Sequence, residues 1–415
     1  MMATVFEHIE KLYTFEGFQK KEGRCVEEKD FFIIKKASLV SERGQIVWIG
    51  PSQGLPSTYK KSKRISLKGK KVFPAFVECH THLVFAGERA DEYELRQQGM
   101  TYGQIAEAGG GIKKTVLSTR KASVNLLKVL AEKRLQKFLA QGVTTVEAKS
   151  GYGLDFKNEK KILSIHQELN KNKKSPRVIS TYLGPHSRPP EKVSLEEYLQ
   201  TIIDKDLEAI YRSKLSCRAD IFVEKGFFEK DLAQKYIRRA KEIGFDVVVH
   251  AEQLSHSGGT RLGIEAKARS VDHLVHIQED EIRDLAKCQT TAVLLPASDF
   301  YLKINYPPAR KMIDQGVRVA VATDYNPGSS PTQDLSFTGL LARQEMKMSL
   351  AEVFCAYTMG AAWALGLEKV LGSLTVGKRA DFFVTEAAPS DFFYHVGEMP
   401  VQNVYFEGQR IYSAN

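Results

Sequence analysis

Alternation of short β-branched runs with amphipathic helical stretches constrains this chain more than any other feature of its sequence. Candidate strands fall at Val72–Val77, Val143–Glu147, Val178–Leu183, Ala219–Val223, Asp246–His250, Ser270–His273, Thr291–Leu295 and Arg318–Ala322. Helical stretches at Asn158–Asn170, Leu195–Tyr211 and Lys230–Ile243 separate several of them. Another helix is read at Val124–Leu139, where Val124, Leu127, Ala131, Leu135 and Phe138 step by three and four and share one face. Gly142 follows, where a helix end takes a left-handed residue. Eight such alternations predict an α/β fold closed into a (β/α)8, TIM-like barrel. An open doubly wound sheet is the alternative; no G-x-G-x-x-G loop follows the first strand to support it.

The ends read differently. Short strands are expected at Phe31–Ile34, Ser38–Val40 and Ile46–Ile49, with turn residues Glu42 to Gly44 between the last two. Strands return at Asp381–Thr385, Val401–Phe406 and Gln409–Tyr412, the last two joined by a hairpin turn at Glu407–Gly408. The expectation is a small β-sandwich domain built from both ends, residues 1–72 and 366–415, around a barrel spanning 73–365.

Length and composition fit a folded barrel with a small companion: the chain has 415 residues, 43% of them hydrophobic. No run of apolar residues reaches the length of a membrane span. Glu7, Glu10 and Lys11 near the start replace the basic and apolar regions of a signal peptide. Cys25, Cys79, Cys217, Cys288 and Cys355 are widely spaced and form no C-x-x-C pair, which suits reduced thiols in a cytoplasm. The net charge of +10 is spread through stretches such as Lys60 to Lys71 and Lys171 to Lys174, with no aromatic-interleaved basic stripe. Neither a nucleic acid nor a membrane is expected as a partner.

His80-Thr81-His82 directly follows the first apolar run. Alternation puts both imidazoles on one side of an extended segment, making half of a divalent metal site. His250 ends the fifth candidate strand, His273 the sixth, and Asp324 follows the eighth. These four positions converge on one mouth of a barrel, the face where such enzymes keep their chemistry. Three imidazoles and a carboxylate hold Zn2+ or Fe and leave a coordination position for water, whose pKa the metal lowers. Asp324 and His273 are the candidates for moving the proton between nucleophile and leaving nitrogen.

The run Phe73-Pro74-Ala75-Phe76-Val77-Glu78-Cys79-His80-Thr81-His82 resembles the first-strand motif of the amidohydrolase superfamily. Leu371-Gly372-Ser373-Leu374-Thr375-Val376-Gly377-Lys378-Arg379-Ala380-Asp381 resembles its returning strand. Four blocks are similar to the branch that hydrolyses imidazolone carboxylates: Ala108 to Ile112, Val143 to Leu154, His250-Ala251-Glu252-Gln253, and Ala322 to Pro331. The resemblance runs over nearly the whole chain. It implies hydrolysis of the cyclic amide of 4-imidazolone-5-propanoate to N-formimidoyl-L-glutamate in histidine degradation. It further implies one Zn2+ or Fe3+ per subunit, bound by His80, His82, His250 and Asp324, with His273 beside the water, and a homodimer.

By the same resemblance, Arg89, Tyr102, Tyr152, His186, Gln253, Asn326, Gly328 and Ser329 contact the substrate. The chemistry suits it: an Arg fork grips a propionate bidentately, phenols at Tyr102 or Tyr152 add hydrogen bonds, and Gln253 both donates and accepts. His186 is expected to stabilise the oxyanion.

Ala75, Glu78 and Gln253 depart from the family pattern. Gln253 cannot take a proton, which leaves that work to His273 or Asp324; Glu252 beside it should point away. Lys149 follows the second strand, whereas the related bridging lysine follows the fourth, and is read as structural or an electrostatic aid. His8, His166 and His395 are expected on surface or terminal elements, and His256 and His276 as structural or as supports behind the ligands, not as ligands. Two other functions stay open: an aminohydrolase deaminating a heterocycle on the same site, and a non-catalytic scaffold.

Overall fold

The structure, a computed structural model, describes residues 3–100, 104, 110–191 and 193–414. Its centre is a ring of parallel strands: β1 (Phe76–Glu78), β2 (Val143–Lys149), β3 (Arg177–Thr181), β4 (Arg218–Val223), β5 (Asp246–Ala251), β6 (Ser270–His273), β7 (Thr291–Leu294) and β8 (Val319–Val321). Strands β1–β3 form one parallel sheet and β4–β8 another. Parallel bridges between Tyr182 and Ala219, and between Thr81 and Tyr325, join the two sheets at both seams. Strands such as β2, β4 and β7 are buried on both faces, as a barrel covered by helices requires.

Helix Val124–Ala140 shows how the sequence pattern works out. Ser123 caps it by accepting from the Leu126 N–H, and Leu127, Ala131, Leu135 and Phe138 are buried. Val124, counted on the same face, is exposed because it sits in the first turn before the helix meets the barrel. Gly142 is left-handed, with φ +88.

Both chain ends contribute to one eight-stranded sheet, ordered Gln409–Ser413, Asn403–Phe406, Phe382–Thr385, Lys71–Pro74, Thr4–Tyr13, Ile33–Glu42, Gln45–Pro51, with Lys63–Ser66 also pairing Thr4–Tyr13. Two differences from the sequence reading have local causes. The run expected as the first barrel strand divides at Ala75: Lys71–Pro74 pairs with Phe382–Thr385, and only Phe76–Glu78 enters the barrel. Phe73 stacks on Tyr13 and Phe383 at the join, with ring centroids 4.1 and 5.3 Å apart. Thr4–Tyr13 itself went unforeseen. A bulge between Phe6 and Ile9, with His8 at φ +59, breaks its two-residue alternation.

Candidate active site

Barrel strands deliver their side chains to one mouth. Beyond β1 the chain stays extended: His82 N–H donates to Tyr325 O (2.9 Å) and Asp324 N–H to His80 O (3.1 Å), so the continuations of β1 and β8 lie side by side. Between the two histidines, Thr81 points the other way, its Oγ1 donating to Glu147 O at 2.7 Å. His80 and His82 therefore share a side, and the Nε2 of each lies 3.5 Å from Asp324 Oδ1. Ligand atoms of His80, His82 and Asp324 cluster within 4.8 Å of one another, and so do those of His80, His250 and His273. Four non-glycine residues at these strand ends are left-handed: Glu252 (φ +56), His273 (φ +81), Leu274 (φ +64) and Asp324 (φ +51). Such conformations cost about 1–3 kcal/mol each, and they cluster where a side chain must be aimed.

This donor set fits a divalent cation. His80 Nε2, His250 Nε2, His273 Nδ1 and Asp324 Oδ1 are buried with no hydrogen-bond partner among the described residues. Burial holds His80, His82 and His273 well below the ordinary histidine value, so they are neutral lone-pair donors. Burial pushes the Asp324 carboxyl up to about 7, and a cation beside it would keep it ionised.

A cavity of about 240 Å³ opens above the cluster, lined by His82, His250, His273 and Asp324 at its floor and by Arg89, Tyr152, His186, Gln253, Asn326 and Ser329 on its walls. Phe222, Phe227, Leu302 and Ile304 complete it. Arg89 Nε donates to Glu92 at 2.8 Å, and the other Glu92 oxygen accepts from Gly111 N–H. Gly328 underlies Arg89: a Cβ there would lie 2.0 Å from Nη1. Tyr102 lies outside the described residues.

Two expected roles change. His186 Nδ1 lies 2.9 Å from Gly151 O and can only donate there, and burial holds its imidazole neutral, its value down to about 4. In that tautomer its Nε2 faces the cavity as an acceptor, whereas the sequence reading expects it to donate to the oxyanion. Asn326 lines the cavity, but its amide is committed to the loop: it donates to Asp324 O and Ser329 Oγ and accepts from the Gly328 and Ser329 N–H groups. It shapes the wall, and a direct substrate bond from its side chain is not available.

Several residues escaped the sequence reading. Asp272 Oδ2 lies 2.7 Å from His80 Nδ1, and Asp220 Oδ2 lies 3.0 Å from His250 Nδ1. Carboxylates at the outer nitrogens fix ring orientation and tautomer. The available signal was a lone carboxylate inside each apolar run, Ala219–Val223 and Ser270–His273. Buried Glu159 accepts from the Gly151, Gly153 and Leu154 N–H groups and so shapes the loop carrying Tyr152. Glu252 does point away, as expected; it accepts from the Ser257 and Thr260 N–H groups at the start of helix Gly259–Glu265. His166, expected at the surface, is fully buried against Ser180 Oγ.

Fold and site define a hydrolase built around a divalent metal, and the chain belongs to the amidohydrolase family, whose profile matches residues 72–411. Within that family it belongs with the imidazolonepropionases. The imidazolonepropionase of Bdellovibrio bacteriovorus is 47% identical over 99% of this chain and 97% of its own length. That of Geobacillus thermodenitrificans is 40% identical over 86% of each chain. Solved structures share the fold at low identity. A triazine hydrolase variant superposes with a TM-score of 0.71 at 15% identity, over 99% of this chain and 94% of that one. An adenosine deaminase from Xanthomonas campestris with bound zinc gives 0.70 at 16%, over 98% and 92%. No helix among the described residues is long and apolar enough to cross a membrane.

Proposed function

We propose that the protein hydrolyses the ring amide of 4-imidazolone-5-propanoate, giving N-formimidoyl-L-glutamate, with one Zn2+ or Fe3+ per subunit held by His80, His82, His250 and Asp324. The observation that carries this reading is a single small cavity with the histidine–aspartate cluster at its floor and Arg89 in its wall. A heterocycle lacking a carboxylate gives Arg89 nothing to grip.

When bound, the cation lowers the pKa of a water and polarises the carbonyl it faces. The protein's own groups do the rest. Arg89, steadied by Glu92, takes the propionate with its charged fork. His186 Nε2 accepts a ring N–H, and Gln253 offers both a donor and an acceptor. Tyr152, only 4% exposed, packs against His82 and closes the side of the cavity. His273, neutral and buried, takes the proton released by the attacking water and returns it to the ring nitrogen as the carbonyl carbon–nitrogen bond breaks. The water oxygen ends in the new carboxylate. Apolar Phe222, Phe227 and Leu302 exclude bulk water from this exchange.

The test is ultraviolet loss of imidazolonepropionate, run beside guanine and cytosine and with metal content measured on the same samples. Turnover of the imidazolone alone, absent in His273→Ala protein that still holds metal, is expected. Deamination of either base, or an unimpaired His273→Ala, would falsify the assignment.

A further inference from the structure

Beneath the metal cluster lies a second set of side chains with the makings of an ion site. Ligand atoms of Asp220, His250 and Asp272 come within 4.8 Å of one another, and all three residues are buried. A pair of buried carboxylates this close demands positive charge. Lys149 supplies it. Its Nζ lies 2.8 Å from Asp220 Oδ2, 3.0 Å from Glu147 Oε1 and 3.6 Å from Asp272 Oδ2, with no solvent exposure of the side chain. Burial alone would lower this ammonium's pKa, but the three carboxylates together hold it above the ordinary lysine value. Carboxylation of Lys149 would set a fourth anion among three, which the same charges oppose.

Two of the three carboxylates around Lys149 also lie against ligand rings: Asp220 meets His250 Nδ1 and Asp272 meets His80 Nδ1. We propose that Lys149 is a built-in cation standing where a second metal ion would otherwise bind. It keeps the centre mononuclear, and through Asp220 and Asp272 it positions His250 and His80. This rests on the reading that His80, His82, His250 and Asp324 hold a cation.

The experiment is titration of metal-stripped full-length protein with Co2+, following stoichiometry, affinity and the visible spectrum, with folding checked by circular dichroism. The parent protein is expected to bind one ion, and to stop at one in excess Co2+. Lys149→Met is expected to bind that ion about tenfold or more weakly, with an altered spectrum. Lys149→Ala, which opens space beside Asp220 and Asp272, is expected to take up two. A Lys149→Met protein with the parent's affinity and spectrum overturns the positioning role, and a Lys149→Ala protein that stops at one overturns the stand-in role. Should neither variant fold, a second Co2+ bound by the parent between Asp220 and Asp272 still overturns the proposal. A parent that binds no ion refutes the underlying metal site instead.

Discussion

Arg89 lies over Gly328 so closely that a methyl group on the glycine would occupy the guanidinium's place, 2.0 Å from Nη1. The glycine is thereby a condition for the arginine's position, although it carries no side chain to touch a substrate. Gly328→Ala should displace the fork while leaving the metal cluster intact. The expected result is a rise in KM for imidazolonepropionate of about tenfold or more, with kcat changed much less. Steady-state kinetics with a metal assay checks it.

His186 faces the cavity with a lone pair. Gly151, at φ +103 and with no room for a Cβ beside His186 Nδ1, lets the ring reach the Gly151 carbonyl. His186→Phe keeps an aromatic ring beside His82 and removes the acceptor. Leaving a buried ring N–H unpaired costs about 1–3 kcal/mol, so kcat/KM should fall roughly 10- to 100-fold. Because burial takes His186 down to about 4, the imidazole is already neutral throughout the mildly acidic range. No limb of the pH profile above pH 5 should disappear in the variant; one that did would mean His186 works as a cation.

Asp272 accepts a hydrogen bond from the outer nitrogen of His80, and Asp220 Oδ2 lies 3.0 Å from that of His250. Asp272→Asn and Asp220→Asn should each weaken metal binding by about 10- to 100-fold, read by competition with a chelator. Full metal affinity in both would mean that the histidines need no orienting carboxylate.

Asp206, in the helical segment after Leu195, has its carboxyl raised to about 6, first by burial and then by the nearby charge of Asp155. The folded state thus binds a proton that the unfolded chain has already released. Stability is lost as pH rises from about 4 to 6, and above that the cost persists. Partial solvent access reduces the effect to about 1–2 kcal/mol. Asp206→Asn should match the parent's stability near pH 4 and exceed it at pH 7 in denaturant unfolding.

Much of the barrel was legible because its strands are short apolar runs buried on both faces, separated by helices with a clear stripe. His80, His82, His250, His273 and Asp324 were legible for a related reason: each ends or follows such a run. What sequence periodicity could not carry was anything set by the third dimension. The bulge at Phe6–Ile9 hid the Thr4–Tyr13 strand, and the break at Ala75 depends on pairing with a strand some 300 residues away. The acceptor face of His186 follows from one backbone carbonyl, and the commitment of Asn326 from the turn it closes. Asp220 and Asp272 were visible as isolated charges in strands, but their partners were not.

Anomalous diffraction from metal-loaded crystals tests the four-ligand centre most directly. One peak is expected, about 2.0–2.2 Å from a nitrogen of each of His80, His82 and His250 and from an oxygen of Asp324. A metal-loaded crystal whose ion sits away from any of these side chains would contradict the account.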